Sequence, residues 1–229
     1  MYFSRIRLQR EGISAADLTK VLGEDGYGEH RAVWRLFSSP DRSNRDFLFR
    51  KELEHSRPIF YIVSRTAPSD TDAVWSVETK PYAPKIGAGE RFAFALTANP
   101  VVTRWVGDEE KRHARHDVVM DAKRELDAKN VPNAERPNTP EIVQSAGFNW
   151  LASRASRCGF AIEKGLVRAD GYRQRRFRKG VKGSEVQLST LDFTGVLTVT
   201  EPQAFTEALF QGVGPAKGFG CGLLLIRRV

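Results

Sequence analysis

His30 is the residue of this sequence best placed to move a proton. It ends the run YGEH (27–30), which follows a glycine-punctuated turn (23–28) and opens a predicted helix (29–37). A helix N-terminus disfavours the imidazolium ion, so this position favours the neutral ring that accepts a proton. Tyr27 lies three residues earlier and is a second candidate for the same site. The alternative is a purely structural role, which is common for a single histidine at a helix start.

The segment GVGPAKGFGCG (212–222) contains five glycines in eleven residues. It is not a Rossmann fingerprint, because the sixth position is Lys217 instead of glycine, and it lacks the Gly-Lys-Ser/Thr of a P-loop. A loop of this composition lets bare backbone approach a phosphate chain. Lys217, Gly218 and Gly220 are therefore candidate binding residues. The alternative is a tight connection between a helix and a strand.

The segment RADGYRQRRFRKGVKG (168–183) carries a net charge of +6, out of +8 for the whole chain. A protruding basic hairpin or loop, with Tyr172 and Phe177 interleaved, is typical of contacts to a nucleic-acid duplex and its phosphates. The alternative is a solvated surface loop. The candidate nucleic-acid contacts are Arg168, Arg173, Arg175, Arg176, Arg178 and Lys179, together with Arg31 beside the candidate histidine.

Metal-dependent chemistry has little support in the sequence. His113 and His116 have a spacing that can place two ligands on one helical face, but no adequate third ligand is nearby and the segment KRHARHD is too basic to attract a cation. There is no Gly-x-Ser-x-Gly elbow and no compact acidic cluster. We predict neither a metal nor a small-molecule cofactor, and proton transfer as the chemistry.

Composition agrees with an anionic partner. The 229 residues suffice for one large domain or two small ones, and the pI is about 9.7 with 25 Arg against 11 Lys. Two cysteines, Cys158 and Cys221, cannot form a disulfide framework. An apolar run long enough for a membrane span is missing, and the first ten residues lack a signal-peptide core. These features predict a soluble, cytoplasmic protein with no membrane partner.

The pattern of the first half predicts the order β-α-β-β-α-β. Its elements are a strand over 2–9, helices over 15–22 and 29–37 that count as one crossover, a hairpin of strands 46–52 and 59–64, a short helix over 70–75 and a strand over 77–80.

After a Pro- and Gly-rich linker (81–90), the second half predicts the same order. Its elements are a strand over 91–97, a charged loop over 107–117, a helix over 139–156, strands over 160–167 and 184–200 that flank the basic segment, a helix over 201–211 and a strand over 223–226. We therefore predict an α+β fold of two tandem ferredoxin-like (βαββαβ) domains, spanning 1–85 and 86–229.

The chain resembles the CRISPR repeat-processing endoribonucleases of the type I-E system, the CasE family of the RAMP superfamily. The resemblance covers nearly the full length and is strongest in residues 27–37, 45–50, 91–101 and 195–226. The last block ends in GVGPAKGFGCGLL, which is highly specific to the family.

The resemblance implies two tandem ferredoxin-like domains that cut precursor CRISPR RNA beside a repeat stem-loop. It implies metal-independent attack by a ribose 2′-hydroxyl, retention of the mature crRNA and assembly with the other Cascade subunits. The catalytic histidine of the family falls on His30, a nearby tyrosine on Tyr27, and the region that grips the RNA stem on 168–182. His30 can act as the base or as the acid, and Tyr27 can orient the ribose or share the proton transfer. The rival hypothesis is a non-catalytic RNA-binding subunit of a ribonucleoprotein particle.

Overall fold

The computed structural model of the chain contains two four-stranded antiparallel sheets, one in each half of the sequence. With the helices between their strands, they confirm the predicted α+β class. The structure describes residues 1–9, 26–37, 46–55, 57–70, 74–106, 112–178 and 185–229. The short helix predicted over 15–22 lies outside these residues.

The first sheet has the strand order β2-β3-β1-β4, in which the first and third strands are central, as in a ferredoxin-like domain. Its elements are β1 (Tyr2–Leu8), helix α1 (Gly26–Trp34), β2 (Phe47–Glu54), β3 (Arg57–Ser64) and β4 (Trp75–Pro81). The predicted hairpin of β2 and β3 is confirmed.

Two predicted boundaries in the first half are wrong. Helix α1 begins at Gly26 instead of residue 29, because the glycines of the predicted turn at 26 and 28 are helical. Trp75 was expected at the end of a short helix, but it opens strand β4 and is buried against Phe60, with the ring centroids 5.6 Å apart. Burial of a large aromatic ring outweighs weak local helix propensity at such a position.

The second sheet has the order β10-β5-β9-β8, which is the same arrangement again. Its elements are β5 (Arg91–Ala98), α3 (Thr139–Ala155), β8 (Phe160–Arg178), β9 (Glu185–Val199), α4 (Pro202–Gln211) and β10 (Leu224–Arg228). Helix α3 starts in a capping box made by Asn138 and Glu141. None of the helices in the described segments combines the length and the apolar character that a bilayer crossing requires.

An insertion between β5 and α3 was not predicted. Strands β6 (Val101–Val106) and β7 (Arg112–Asp117) form a separate hairpin, and helix α2 (Val118–Ala128) follows directly. The expected charged loop over 107–117 is therefore wrong for its described part, 112–117, which is strand. Asp117 starts the helix, because its carboxylate accepts the backbone N–H groups of residues 119 and 120. The charged strand has no apolar alternation by which the sequence could reveal it.

Three apolar clusters hold the molecule together. One lies between the first sheet and α1, a larger one between the second sheet and its helices, and a third joins the halves around Leu48, Val63 and Leu223. In β2, Phe47 and Phe49 belong to the first cluster while Leu48 belongs to the third. Because side chains alternate across a strand, the halves meet through the sheet face that points away from α1. The predicted boundary between residues 85 and 86 falls in the segment between β4 and β5, and it stays a prediction.

Candidate functional site

The ring of His30 is held by a backbone group from the other half of the chain. His30 is half-buried in α1, and its Nδ1 lies 2.5 Å from the carbonyl oxygen of Gly218. A carbonyl oxygen can only accept, so Nδ1 carries the proton of this hydrogen bond. Nε2 then has a lone pair when the ring is neutral and a proton when the ring is charged. Nε2 is therefore the atom that can take up or release a proton.

Two aromatic side chains fix the plane of this imidazole. The ring of Phe219 stacks on His30 with a centroid distance of 5.6 Å and an interplanar angle of 29°. Trp34, one turn further along α1, lies at the same centroid distance and at 58°. With one ring nitrogen hydrogen-bonded and two rings in contact, His30 is preorganised before any substrate arrives.

The reason given above for a neutral His30 is wrong. The histidine is the fifth residue of α1, because the helix begins at Gly26, and the effect of a helix N-terminus fades within the first turn. The hydrogen bond to Gly218 fixes the tautomer instead. Tyr27 lies in that first turn, three residues before His30, and its side chain is outside the described atoms. Its role stays a prediction.

The glycine-rich loop is fixed between the two halves of the molecule. It contains a 3-10 turn over Lys217–Phe219, which Gly220 ends at a φ of +79°. A Cβ atom on Gly220 would lie 3.2 Å from the ring of Phe49 in β2, so the backbone passes close to the first half here. The N–H of Gly222 donates to the β5 carbonyl of Thr97 at 2.8 Å. The loop thus positions a backbone carbonyl, while phosphate binding by its glycines stays a prediction.

The described part of the basic segment, residues 168–178, is strand, which fits the expected hairpin and contradicts the expected loop. Strand β8 continues to Arg178, and its outer part pairs only with residues 185–190 of β9, since the pairing of β5 with β9 stops at Leu191. A two-stranded ribbon therefore extends beyond the four-stranded sheet. The hairpin interpretation fits the strands, and residues 179–184 between them lie outside the described segments.

A bulge in β8 decides which arginines face the first half. Before it, Val167 and Ala169 point into the core, and the register shifts between Asp170 and Arg173. After it, Tyr172 packs on the core. One additional residue moves every following side chain to the opposite face.

The bulge is built from a glycine and a tyrosine with specific partners. Gly171 has a φ of +63°, and a Cβ there would lie 2.7 Å from a carboxylate oxygen of Asp192. The hydroxyl of Tyr172 donates to Asp117 at 3.1 Å, which links β8 to the insertion. Burial, and then the charge of Asp117, raise the pKa of Tyr172 to about 12, so the hydroxyl remains a donor.

Arg173 and Arg175, placed by the bulge, line a cavity of about 340 Å³ between the two halves. Arg50 of β2 lies on the facing wall, and Phe219 forms part of the same cavity. Because Phe219 also stacks on the catalytic candidate, the cavity is one aromatic ring away from His30. The histidine and the basic strand therefore belong to one continuous site.

A carboxylate lies among these arginines. The hydroxyl of Thr97 donates to Asp192 Oδ1 at 2.5 Å, and Arg173 Nη2 lies 3.8 Å from Asp192 Oδ2. Asp192 thus holds the guanidinium of Arg173 loosely at the cavity wall, while Arg175 is exposed. The site combines the positive charges of the cavity wall with a fixed imidazole beside it, an arrangement suited to cleaving a phosphodiester.

The sequence matches the family described as CRISPR associated protein over residues 1–228. The chain belongs to this family. The family resemblance given above is thereby confirmed over almost the whole length.

Two curated relatives agree with this membership of the CRISPR associated protein family. The chain is 28% identical over 214 residues to the CRISPR system Cascade subunit CasE of Escherichia coli (strain K12), covering 93% of this chain and 96% of that protein. It is 26% identical over 221 residues to the CRISPR-associated endoribonuclease Cse3 of Thermus thermophilus, covering 87% of this chain and 89% of that protein.

Solved structures of this family have the same fold. The crystal structure of Cas6e from Escherichia coli superposes with a TM-score of 0.65 at 25% identity over the full length of both chains. Cse3 bound to a 19-nucleotide RNA gives a TM-score of 0.69 at 22% identity, covering 99% of this chain and 98% of that one. These matches confirm the tandem ferredoxin-like architecture.

The remaining predicted contacts fall into different surroundings. Arg31 is exposed beside the histidine, and Arg168 is exposed before the bulge, where it forms an ion pair with Asp170 at 2.6 Å. Arg176 is exposed, one position out of phase with the two cavity arginines. The side chain of Arg178 and the whole of Lys179 lie outside what the structure describes. As RNA contacts, all of these stay predictions.

Sequence reasoning missed three residues of the site. Phe219 and Trp34 hold the imidazole, and Arg50 faces the basic strand from the first half. A tryptophan four residues after a candidate histidine is a signal that helical spacing offers. Arg50 gives no such signal, because an arginine at the end of an apolar run resembles a solvated strand end.

Proposed function

We propose that this chain is a metal-independent endoribonuclease that cleaves precursor CRISPR RNA next to the repeat stem-loop. Two relatives that match over most of their length support this proposal: one is named an endoribonuclease, the other a Cascade subunit. The observation that carries it is the hydrogen bond from His30 Nδ1 to the carbonyl of Gly218, which fixes the tautomer and makes Nε2 the nitrogen that can exchange a proton.

The reaction starts with the ribose 2′-oxygen before the cut. This oxygen forms a bond to the adjacent phosphorus and loses its proton, while the bond from phosphorus to the departing 5′-oxygen breaks and that oxygen gains a proton. The products are a 2′,3′-cyclic phosphate and a 5′-hydroxyl. His30 supplies one of the two proton transfers through Nε2, and Tyr27 is the candidate for orienting the ribose or for the other transfer.

Positive charge close to the reacting phosphate is the third requirement. The phosphorane carries more negative charge than the diester, so nearby guanidinium groups stabilise it. Arg173 and Arg175 line the cavity beside Phe219, one ring away from the histidine. The ribbon of β8 and β9 extends from the same place and offers a basic surface to the RNA stem.

The product remains bound in this proposal, and the complex joins the other Cascade subunits. The protein acts in the cytoplasm, where the transcript is made. Free Cys158 and Cys221, of which Cys221 is buried, suit a reducing compartment. Among the described residues there is no cluster of three or more His, Cys, Asp or Glu arranged around a potential metal ion.

Incubation with a CRISPR repeat RNA in excess EDTA tests the proposal. We expect a single cut beside the stem, a cyclic phosphate on one product and a 5′-hydroxyl on the other. A repeat with a 2′-deoxyribose at the cut site is the matched control, which must bind and remain intact because it lacks the nucleophile. Tight binding without any cleavage would favour the non-catalytic subunit, and strict dependence on Mg²⁺ would contradict metal independence.

A further inference from the structure

Arg50 has an environment that the chemistry described so far does not explain. Its side chain is 11% exposed, and its Nε donates to Glu52 Oε1 at 2.8 Å. Its Nη1 is shielded from solvent and has no hydrogen-bond partner among the described residues. A charged donor withdrawn from water without a partner is costly, so such a group calls for an anionic ligand.

The position of Arg50 on its strand directs it between the two halves. Arg50 and Leu48 are two residues apart in β2, and Leu48 belongs to the apolar cluster that joins the halves. Side chains two apart share a face of a strand, so Arg50 extends that interface into the cavity that it lines. The guanidinium is therefore held in place by packing at the wall of the cavity.

The cavity is positively charged overall and receives charge from both halves. The charged residues of the cavity wall are Arg50, Lys51, Arg173 and Arg175 against Glu52 and Asp192, a net charge of +2.

We propose that this cavity is a second phosphate subsite, which binds an RNA backbone phosphodiester next to the scissile one, with Arg50 as its anchor. This inference rests on the proposed function for its RNA substrate. Phe219 lies between the cavity and His30, so a strand with its scissile phosphate at the imidazole passes directly to Arg50. A guanidinium makes paired hydrogen bonds to a phosphate group, so a phosphate in the cavity is the anionic partner that the buried charge of Arg50 calls for.

A binding cycle between protein and RNA variants tests the subsite. The RNA is a repeat made uncleavable by a 2′-deoxyribose at the cut, with one neutral methylphosphonate linkage moved stepwise through the positions around it. For the unmodified protein we expect about tenfold weaker binding, ~1.4 kcal/mol, at the linkage that occupies the cavity. Arg50→Gln should weaken binding of the all-phosphate RNA by a similar factor. The methylphosphonate at that same linkage should then cause no further loss of affinity for the variant.

Two variants separate this role from folding and from general charge. Arg50→Lys keeps the charge but not the fork, so it should keep the salt dependence of binding and still lose affinity. Arg65→Gln, which removes a positive charge from an exposed side chain of the same half, should bind like the unmodified protein. Thermal melting of each variant checks that it is folded. If Arg50→Gln does not fold, Arg50→Lys replaces it in the binding cycle.

The subsite would be overturned if the affinity losses from Arg50→Gln and from the neutral linkage were independent at every position. The two fold-losses would then simply multiply wherever the linkage is placed. A second result would also overturn it: inorganic phosphate stabilises the protein only when Arg50 is present, but Arg50→Gln shows no coupling to any RNA linkage. The ligand of Arg50 would then be a free anion. The measurements use uncleavable RNA, so an unmodified protein that fails to cut contradicts the proposed function without affecting this test.

Discussion

The imidazole of His30 and the basic strand β8 both lie near the ring of Phe219, and the molecule holds them in opposite ways. His30 has one nitrogen bonded to a backbone carbonyl and two aromatic rings against its plane. Arg175 on β8 is exposed, and Arg173 is only 3.8 Å from its carboxylate partner. The first region is fixed by its surroundings, whereas the second is a set of long side chains on an extended ribbon.

This difference follows from what each region does in the proposed function. Proton transfer in a transition state depends steeply on geometry, so the reacting nitrogen must be positioned before the substrate binds. Attraction of a polyanion depends mainly on charge, falls slowly with distance and tolerates many side-chain arrangements. Substitutions in the first region should therefore change the rate of cleavage, and substitutions in the second should change binding.

The largest effect is expected for His30→Ala. Loss of the proton-transferring group should slow single-turnover cleavage by about 10²–10⁴-fold, while affinity for the stem-loop stays within about tenfold. His55→Asn is the control, since His55 is exposed in the β2–β3 turn at a φ of +48° that asparagine tolerates. Cleavage at an unchanged rate would remove His30 from the mechanism.

Tyr27→Phe should slow cleavage less than His30→Ala does. The histidine remains in place in this variant, and only one hydroxyl is lost from the first turn of α1. We expect a reduction of the single-turnover rate by roughly 10- to 100-fold at saturating protein, below that of His30→Ala. An equal or greater loss would reverse the ranking of the two residues.

Adjacent arginines on β8 offer a test of the binding region. Arg175 lines the cavity, while Arg176 points to the other side of the strand. Arg175→Ala should weaken RNA binding by about tenfold and lower the slope of log K against log salt by ~0.9, the value for one phosphate contact on a duplex. Arg176→Ala is the matched comparison, and we expect a smaller change in both quantities. Equal effects would mean that the RNA covers both faces of the ribbon.

The smallest effect concerns the bulge that separates those two faces. Gly171→Ala places a Cβ at a φ of +63° and within 2.7 Å of Asp192, so it should destabilise folding by about 1–2 kcal/mol in denaturant unfolding. Gly165→Ala is the control, because a Cβ there has open space and the backbone has no positive φ. We also expect Gly171→Ala to weaken RNA binding, since the bulge directs Arg173 and Arg175. Unchanged stability and binding together would contradict this role of the bulge.

The sequence by itself determined the family, the order of the eight strands in the two sheets and the two segments that matter. Period-two alternation in β1 and the apolar runs of β2 and β3 are local properties, and a ferredoxin-like sheet requires little else to be recognised. His30 could be selected because few other residue types transfer protons near neutral pH. The basic segment could be selected because it carries a net charge of +6 out of +8 for the whole chain.

Only the tertiary structure decided how these segments meet. The partner of His30 is a backbone carbonyl 188 residues away, and any residue type can supply a carbonyl, so no pattern identifies Gly218. The bulge at Gly171 inverts the alternation of side chains along β8. Residue spacing alone therefore does not predict which arginines of this strand face the cavity. Arg50 acquires its environment from packing between the halves. Long-range contacts of this kind depend on the relative placement of two sheets, which local sequence does not encode.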